Sequence, residues 1–284
     1  MSVVEALLKR SGNLGVDGGT RLNRTGKRDM QAETHLFDCL KDNFGVLVHD
    51  PSTGATASID APEAEPVEAA LAATGWRLTD ILVTHHHADH TGGILELKKR
   101  HQCRVTGPRD EISKIPGIDA AVGEGDVVSF GSLKAKVIDT PGHTAGHISY
   151  WLESEKLAFV GDTLFSIGCG RVIEGTPEMM WNSLVKLRNL PPETKFYCGH
   201  EYTEANIRFA LTIEPSNKAL KARAEEVERQ LAEGMPTIPA TIGSEREANP
   251  FLRADIPGVA AGIGLAGQPP AKVFAEIRER KNRF

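Results

Sequence analysis

The chain has 284 residues, 40% hydrophobic and 25% charged, with a formal net charge of −5. That is the composition of a globular protein, and its acidic balance argues against overall attraction to nucleic acid or to acidic membranes. Cys39, Cys103, Cys169 and Cys198 form no CxxC, which argues against a zinc ribbon or a disulfide framework.

No apolar run approaches the roughly 18–20 residues of a membrane span. The first residues hold no apolar segment behind a basic one, so a secretory signal is not expected and a reducing, cytoplasmic compartment is.

Residues 1–30, rich in Gly, Arg and Asn, read as an extension with a short helix over 3–9. Strands are expected over 44–48 and 57–59, around the turn from Asp50 to Gly54. A helix over 63–73 stops near Gly75. A strand over 80–84 then runs into the segment VTHHHADHTGG, followed by a helix over 93–101. Four further strands are expected over 127–130, 133–139, 148–152 and 157–160, separated by Gly, Ser, Pro or charged turns. A helix over 178–190 follows Pro177, and a strand over 195–198 delivers Gly199 and His200. Beyond residue 200 Ala, Glu, Arg and Leu dominate, with helices over 204–213, 217–233 and 270–283. The shift from strands to helices predicts a boundary there. The chain thus divides into an extension (1–30), a catalytic domain (31–200) and a helical substrate-binding domain (201–284).

His85, His87, Asp89 and His90 leave a strand end into a loop, where alternating residues converge on one side. His85 and His87 can share one cation, and Asp89 and His90 can reach a second. Three other segments end an apolar run at a Gly followed by a ligand-type residue: Gly142-His143, Gly161-Asp162 and Gly199-His200. Glycine there lets backbone approach closely. Mixed imidazole and carboxylate donors suit two divalent ions, zinc first, with iron or manganese as alternatives.

The stretch THHHADH resembles the T-H-x-H-x-D-H signature of the metallo-β-lactamase superfamily. The resemblance implies an α/β fold, an αββα sandwich. It implies one metal on His85, His87 and His143, a second on Asp89, His90 and His200, and Asp162 bridging both. His86 is expected to point away, and His147 to support the site by a hydrogen bond. His35, His49 and His101 read as ordinary histidines.

Two metals can hold a water and lower its pKa toward neutrality, which points to hydrolysis of an ester-like bond. Gly168-Cys169-Gly170-Arg171-Val172-Ile173-Glu174-Gly175 resembles the C-G-[KR]-x-x-E-G segment of the hydroxyacylglutathione hydrolases, or glyoxalase II family. Cys198-Gly199-His200-Glu201-Tyr202-Thr203 matches that family's C-G-H-E-Y-T, and Asn249-Pro250-Phe251-Leu252-Arg253 and the basic C-terminus resemble its helical domain. Glutathione carries two carboxylates, and Arg171, Arg278 and Lys281 are suitable cations, the last two at i, i+3 on one helix face.

The resemblance implies that Arg171, Ile173, Tyr202, Arg278 and Lys281 contact substrate, while Asp89 and Asp162 orient the hydroxide. The substrate it implies is S-D-lactoylglutathione, cleaved to D-lactate and glutathione in methylglyoxal detoxification. Ile173 stands where the family often has an aromatic. The other readings are a mononuclear-iron glutathione persulfide dioxygenase, which lacks the helical domain with NPFLR, and a lactonase, which needs no C-terminal cations. No nucleic-acid or membrane partner is expected, and the protein reads as a monomer or weak homo-oligomer.

Overall fold

The computed structural model describes residues 20–22 and 28–284, with side chains from residue 31 onward. The helix expected over 3–9 lies outside the described residues. Strands β1 (Thr20–Leu22) and β2 (Arg28–Met30) form a small antiparallel pair.

Two six-stranded sheets follow. The first orders β3 (Glu33–Cys39), β4 (Asn43–Asp50), β5 (Ala55–Ile59), β6 (Asp80–Leu82), β7 (Arg104–Pro108) and β8 (Ala120–Val122). Its first three strands pair antiparallel and the rest parallel. Parallel pairing requires crossovers. The chain crosses from β5 to β6 through α1 (Ala64–Thr74), from β6 to β7 through α2 (Ala88–Thr91) with α3 (Ile94–His101), and from β7 to β8 through a segment with one 3-10 turn, Arg109–Glu111. Helix α1 ends at Gly75, whose φ of 72° is left-handed and suits glycine.

In the second sheet β9 (Val127–Phe130), β10 (Leu133–Asp139), β11 (Ile148–Leu152) and β12 (Leu157–Phe159) are antiparallel neighbours. β15 (Lys195–Tyr197) joins β12 in parallel and carries the edge strand β16 (Ala240–Thr241).

Side-chain alternation builds the layers. Along β10, Leu133, Ala135 and Val137 are buried while Lys134 and Lys136 are exposed. On β4, Val46 and Val48 join the core between the sheets, whereas Leu47 packs outward with Val67 and Leu71 of α1 and Leu97 of α3. Beneath the second sheet lies α4 (Pro177–Arg188), contributing Met180, Trp181, Leu184 and Leu187. It starts at Thr176, whose side chain caps Met179 N–H, with Pro177 in the first turn. The result is the expected αββα sandwich.

The later segment is helical: α5 (Thr203–Ile213), α6 (Lys218–Ala232), α7 (Ile242–Ala248), α8 (Pro257–Gly262) and α9 (Pro270–Arg283). Its Phe209, Phe251, Phe274 and Ile277 join the same core as the sheets. Each such buried side chain contributes about 1.5–3 kcal/mol.

Local expectations need correction at several points. The strand expected over 80–84 ends at Leu82, because Asp60 draws Thr84 away from the ladder. Asp89 and His90 lie in the short helix α2 rather than an open loop. The hairpin β13 (Leu164–Phe165) and β14 (Gly168–Cys169) was not anticipated, nor was β16.

Candidate metal centre

Strands β10, β12 and β15 run in one direction, so their C-terminal ends open on one edge, facing the end of β6. The four loops leaving these strands carry the histidines and Asp162. Asp60 organises the first. Its Oδ1 accepts Thr84 N–H at 2.7 Å, and its Oδ2 accepts Thr84 Oγ1–H and His90 Nδ1–H, both at 2.8 Å. His85 Nδ1 in turn donates to Thr84 Oγ1 at 3.0 Å. His143 Nδ1 donates to the Arg171 carbonyl at 2.9 Å, and His200 Nδ1 lies 3.1 Å from Asp42 Oδ1.

Each of these rings is thereby oriented with Nε2 toward the centre, as outer hydrogen bonds orient metal-binding histidines. His147 serves differently: its Nε2 accepts Asp162 N–H at 3.1 Å.

The inward atoms form two groups. His87 Nδ1 lies 3.1 Å from His85 Nε2 and 3.0 Å from His143 Nε2. Asp89 Oδ2 lies 3.4 Å from His200 Nε2 and 3.9 Å from His90 Nε2. Asp162 faces both groups, with Oδ2 3.4 Å from His143 Nε2 and 3.3 Å from His200 Nε2, and Oδ1 3.4 Å from His90 Nε2. All seven residues expected at the metals are gathered here.

His90 Nε2 and Asp162 Oδ1 are buried with no hydrogen-bond partner. Leaving such atoms unsatisfied costs about 1–3 kcal/mol each, and a divalent cation satisfies both.

Charge follows the same geometry. Burial, reinforced by His90 and His147, holds His85 well below the usual histidine range. Burial opposes charge on His90 as well, but Asp162 and Asp60 outweigh it and raise this histidine. Against its own burial, Asp162 is held well below the carboxylate range by His90 and His200. His200 is pushed up to about 10, its hydrogen bonds to Asp162 and Asp89 overcoming burial. Asp162 thus favours positive charge on the His90 and His200 side of the centre.

Backbone closeness is part of the design. A Cβ at Gly199 would collide with Asp162 Oδ1 and His90 Cε1.

A pocket of about 570 Å³ extends from the centre and is lined by all five residues expected to contact substrate. Tyr202 stacks on His200 with ring centroids 4.8 Å apart. Ile173 is half exposed at the rim. Arg278 is buried, donating to the Cys169 carbonyl at 2.9 Å and lying over Phe251. Lys281 donates to the Ala205 carbonyl at 2.8 Å between Phe209 and Phe284. Burial, with Arg278 and Arg208 nearby, lowers it to about 8. The pocket also contains Asn206, which sequence reasoning missed. Its position four residues after Tyr202, which occupies the N-cap position of α5, was the available signal.

Comparison with known proteins agrees with this geometry. The metallo-beta-lactamase superfamily model matches residues 40–200, and the model described as hydroxyacylglutathione hydrolase C-terminus matches 201–284. A hydroxyacylglutathione hydrolase of Rhodopseudomonas palustris is 63% identical over 253 residues, covering 89% of this chain and 99% of that one. The Nitrobacter winogradskyi hydroxyacylglutathione hydrolase is 61% identical over 254 residues, 89% of this chain and 100% of its own.

The chain belongs to the hydroxyacylglutathione hydrolase family. A member of this family, within the metallo-beta-lactamase superfamily, is an enzyme, and the donors gathered here fit its divalent metal cofactor. Among solved structures, ETHE1 from Myxococcus xanthus superposes with a TM-score of 0.62 at 28% identity, covering 87% of this chain and 89% of that one. Among the described residues no helix is long and apolar enough to cross a membrane.

Proposed function

We propose that this family member hydrolyses S-(2-hydroxyacyl)glutathione, S-D-lactoylglutathione first, to D-lactate and glutathione in methylglyoxal detoxification. The observation that carries this is one pocket joining the histidine and aspartate donors to Arg171, Tyr202, Arg278 and Lys281.

His85, His87 and His143 would hold one divalent ion, and Asp89, His90 and His200 a second, with Asp162 facing both groups. Zinc is the first choice, iron or manganese the alternatives. When bound, these ions supply hydroxide near neutral pH and polarise the thioester carbonyl. Asp89 and Asp162 orient the attacking oxygen through their carboxylates. Arg171, Arg278 and Lys281 receive the glutathione carboxylates, and Tyr202 hydrogen-bonds its peptide. The thiol that leaves has a pKa of roughly 8.5 and needs no strong general acid. Residues 31–200 form the catalytic unit and 201–284 the substrate-binding unit of a cytoplasmic monomer or weak homo-oligomer.

The test is a steady-state assay on metal-analysed protein, comparing lactoylglutathione with a lactone and a β-lactam. Thioester cleavage that stops on chelation and returns with metal is expected. Preference for the lactone or lactam, or dioxygen consumption with glutathione persulfide and no thioester cleavage, overturns the reading.

A further inference from the structure

His86 stands outside both donor groups, yet it is firmly held. Its backbone N–H and its Nδ1–H both donate to Glu111 Oε2, at 2.7 and 2.9 Å. The other oxygen of Glu111 accepts Gly146 N–H at 3.0 Å. Glu111 is 1% exposed and closes a single 3-10 turn, Arg109–Glu111, that follows β7.

One buried carboxylate thus joins two separate loops. One loop carries His85 and His87 on either side of His86; the other carries His143 three residues before Gly146. Glu174 adds an outer tie. It accepts Ala145 N–H at 2.9 Å and lies 3.4 Å from His86 Nε2.

We propose, taking His85, His87 and His143 as ligands of one metal, that Glu111 is the positioning residue that holds this triad together. Three N–H groups on one carboxylate are charge-assisted and short, which gives geometric control as well as strength. Separation of the two loops would move His143 relative to His85 and His87, while His90 and His200 are held by Asp60 and Asp42 and Asp89 by Asn43.

The trio His86, Glu111 and Glu174 also gathers ligand-type atoms. Both Glu111 oxygens are already occupied by N–H donors, however, and the Lys114 ammonium sits 3.1 Å from Glu174. It is a clamp rather than a third cation site.

Wild type, Glu111→Ala and Glu111→Gln are loaded with cobalt(II) and titrated with a competing chelator. Metal content and the visible cobalt spectrum are followed beside thermal unfolding and kinetics. Wild type should hold two ions. In Glu111→Ala one of the two should bind about 10–100-fold more weakly, the range typical of outer-partner loss, while the other is unchanged. The cobalt spectrum should change, with kcat reduced and KM unaltered. Glu111→Gln should fall between, since its single oxygen serves His86 while its amide NH₂ opposes Gly146 N–H. This isosteric variant carries the same comparison should the alanine variant fail to fold.

Folded variants that hold both ions as tightly as wild type overturn the proposal. So does a third wild-type ion that disappears in Glu111→Gln. A wild-type protein that binds no metal overturns the ligand assignment, and the proposal with it.

Discussion

Asp162 faces both donor groups, with one oxygen near His90 and the other near His143 and His200. Asp162→Ala should release both metals and reduce activity more than about 100-fold, beyond the effect of an outer hydrogen-bond partner. Two tightly held metals with full activity in that variant would remove its bridging role.

Lys281 makes a second prediction. Burial and neighbouring arginines lower it to about 8, so its charge is present below that pH and lost above it. KM for glutathione thioesters should rise as pH passes about 8. In Lys281→Met, KM should be raised about 10-fold at neutral pH, as for loss of one charge-assisted hydrogen bond, and the step near pH 8 should vanish. A KM profile identical to wild type would separate Lys281 from substrate.

At this scale the sequence showed what was chemically conspicuous. Histidines clustered within six positions could be read directly, because few local roles use so many imidazoles. Asp60 and Glu111 could not. A lone carboxylate is the commonest of surface residues, and only folding reveals which one is buried against a distant loop.

Among the elements, β15 shows why glycine precedes His200. The strand must bring its end within contact of Asp162 and His90, and a Cβ at Gly199 has no room. Gly199→Ala should cost about 1–3 kcal/mol by overpacking, read as a lowered Tm, and should weaken metal retention on dialysis. A variant with unchanged Tm and metal content would mean that the loop relaxes freely.

The longer strands and helices were legible because their apolar periodicity is sustained, as in the alternation of β10. The two-residue strands β13, β14 and β16 carry no such period. They exist because partners on other segments align them. Helix α2 was obscured because its residues are dominated by metal-donor chemistry rather than by an apolar face.

For the molecule as a whole, the sheets and the later helices share a core and also a buried polar junction. Glu245 of α7 is fully buried, accepting N–H from Ile167 at 2.8 Å and from Asn249 Nδ2 at 2.9 Å, with Ser166 Oγ 3.3 Å away. Burial pushes it up to about 7 despite these donors. The folded state therefore holds a proton here that the unfolded chain releases at about 4.5. Stability from this group is full below about pH 4.5 and declines until about pH 7, by on the order of 3 kcal/mol. Glu245→Gln fits the same contacts, with its oxygen toward Ile167 and Asn249 and its amide toward Ser166. It should flatten that decline in urea titrations between pH 5 and 7.5; an unaltered slope would assign the dependence elsewhere. The change of composition near residue 200 was visible in the sequence. The common core was not, since apolar residues on α5 and α9 do not announce which sheet they cover.

The order of these parts along the chain has a consequence for synthesis. The metal donors end at His200, whereas Arg278 and Lys281 belong to α9, 81 positions later in the case of Lys281 (281 − 200). At about 5–20 residues per second, that interval is roughly 4–16 s. A nascent chain can gather its histidines before the side of the pocket formed by α9 exists, with the bed for Phe274 still open. The α9 side of the pocket is therefore made only after every donor residue has left the ribosome's active centre.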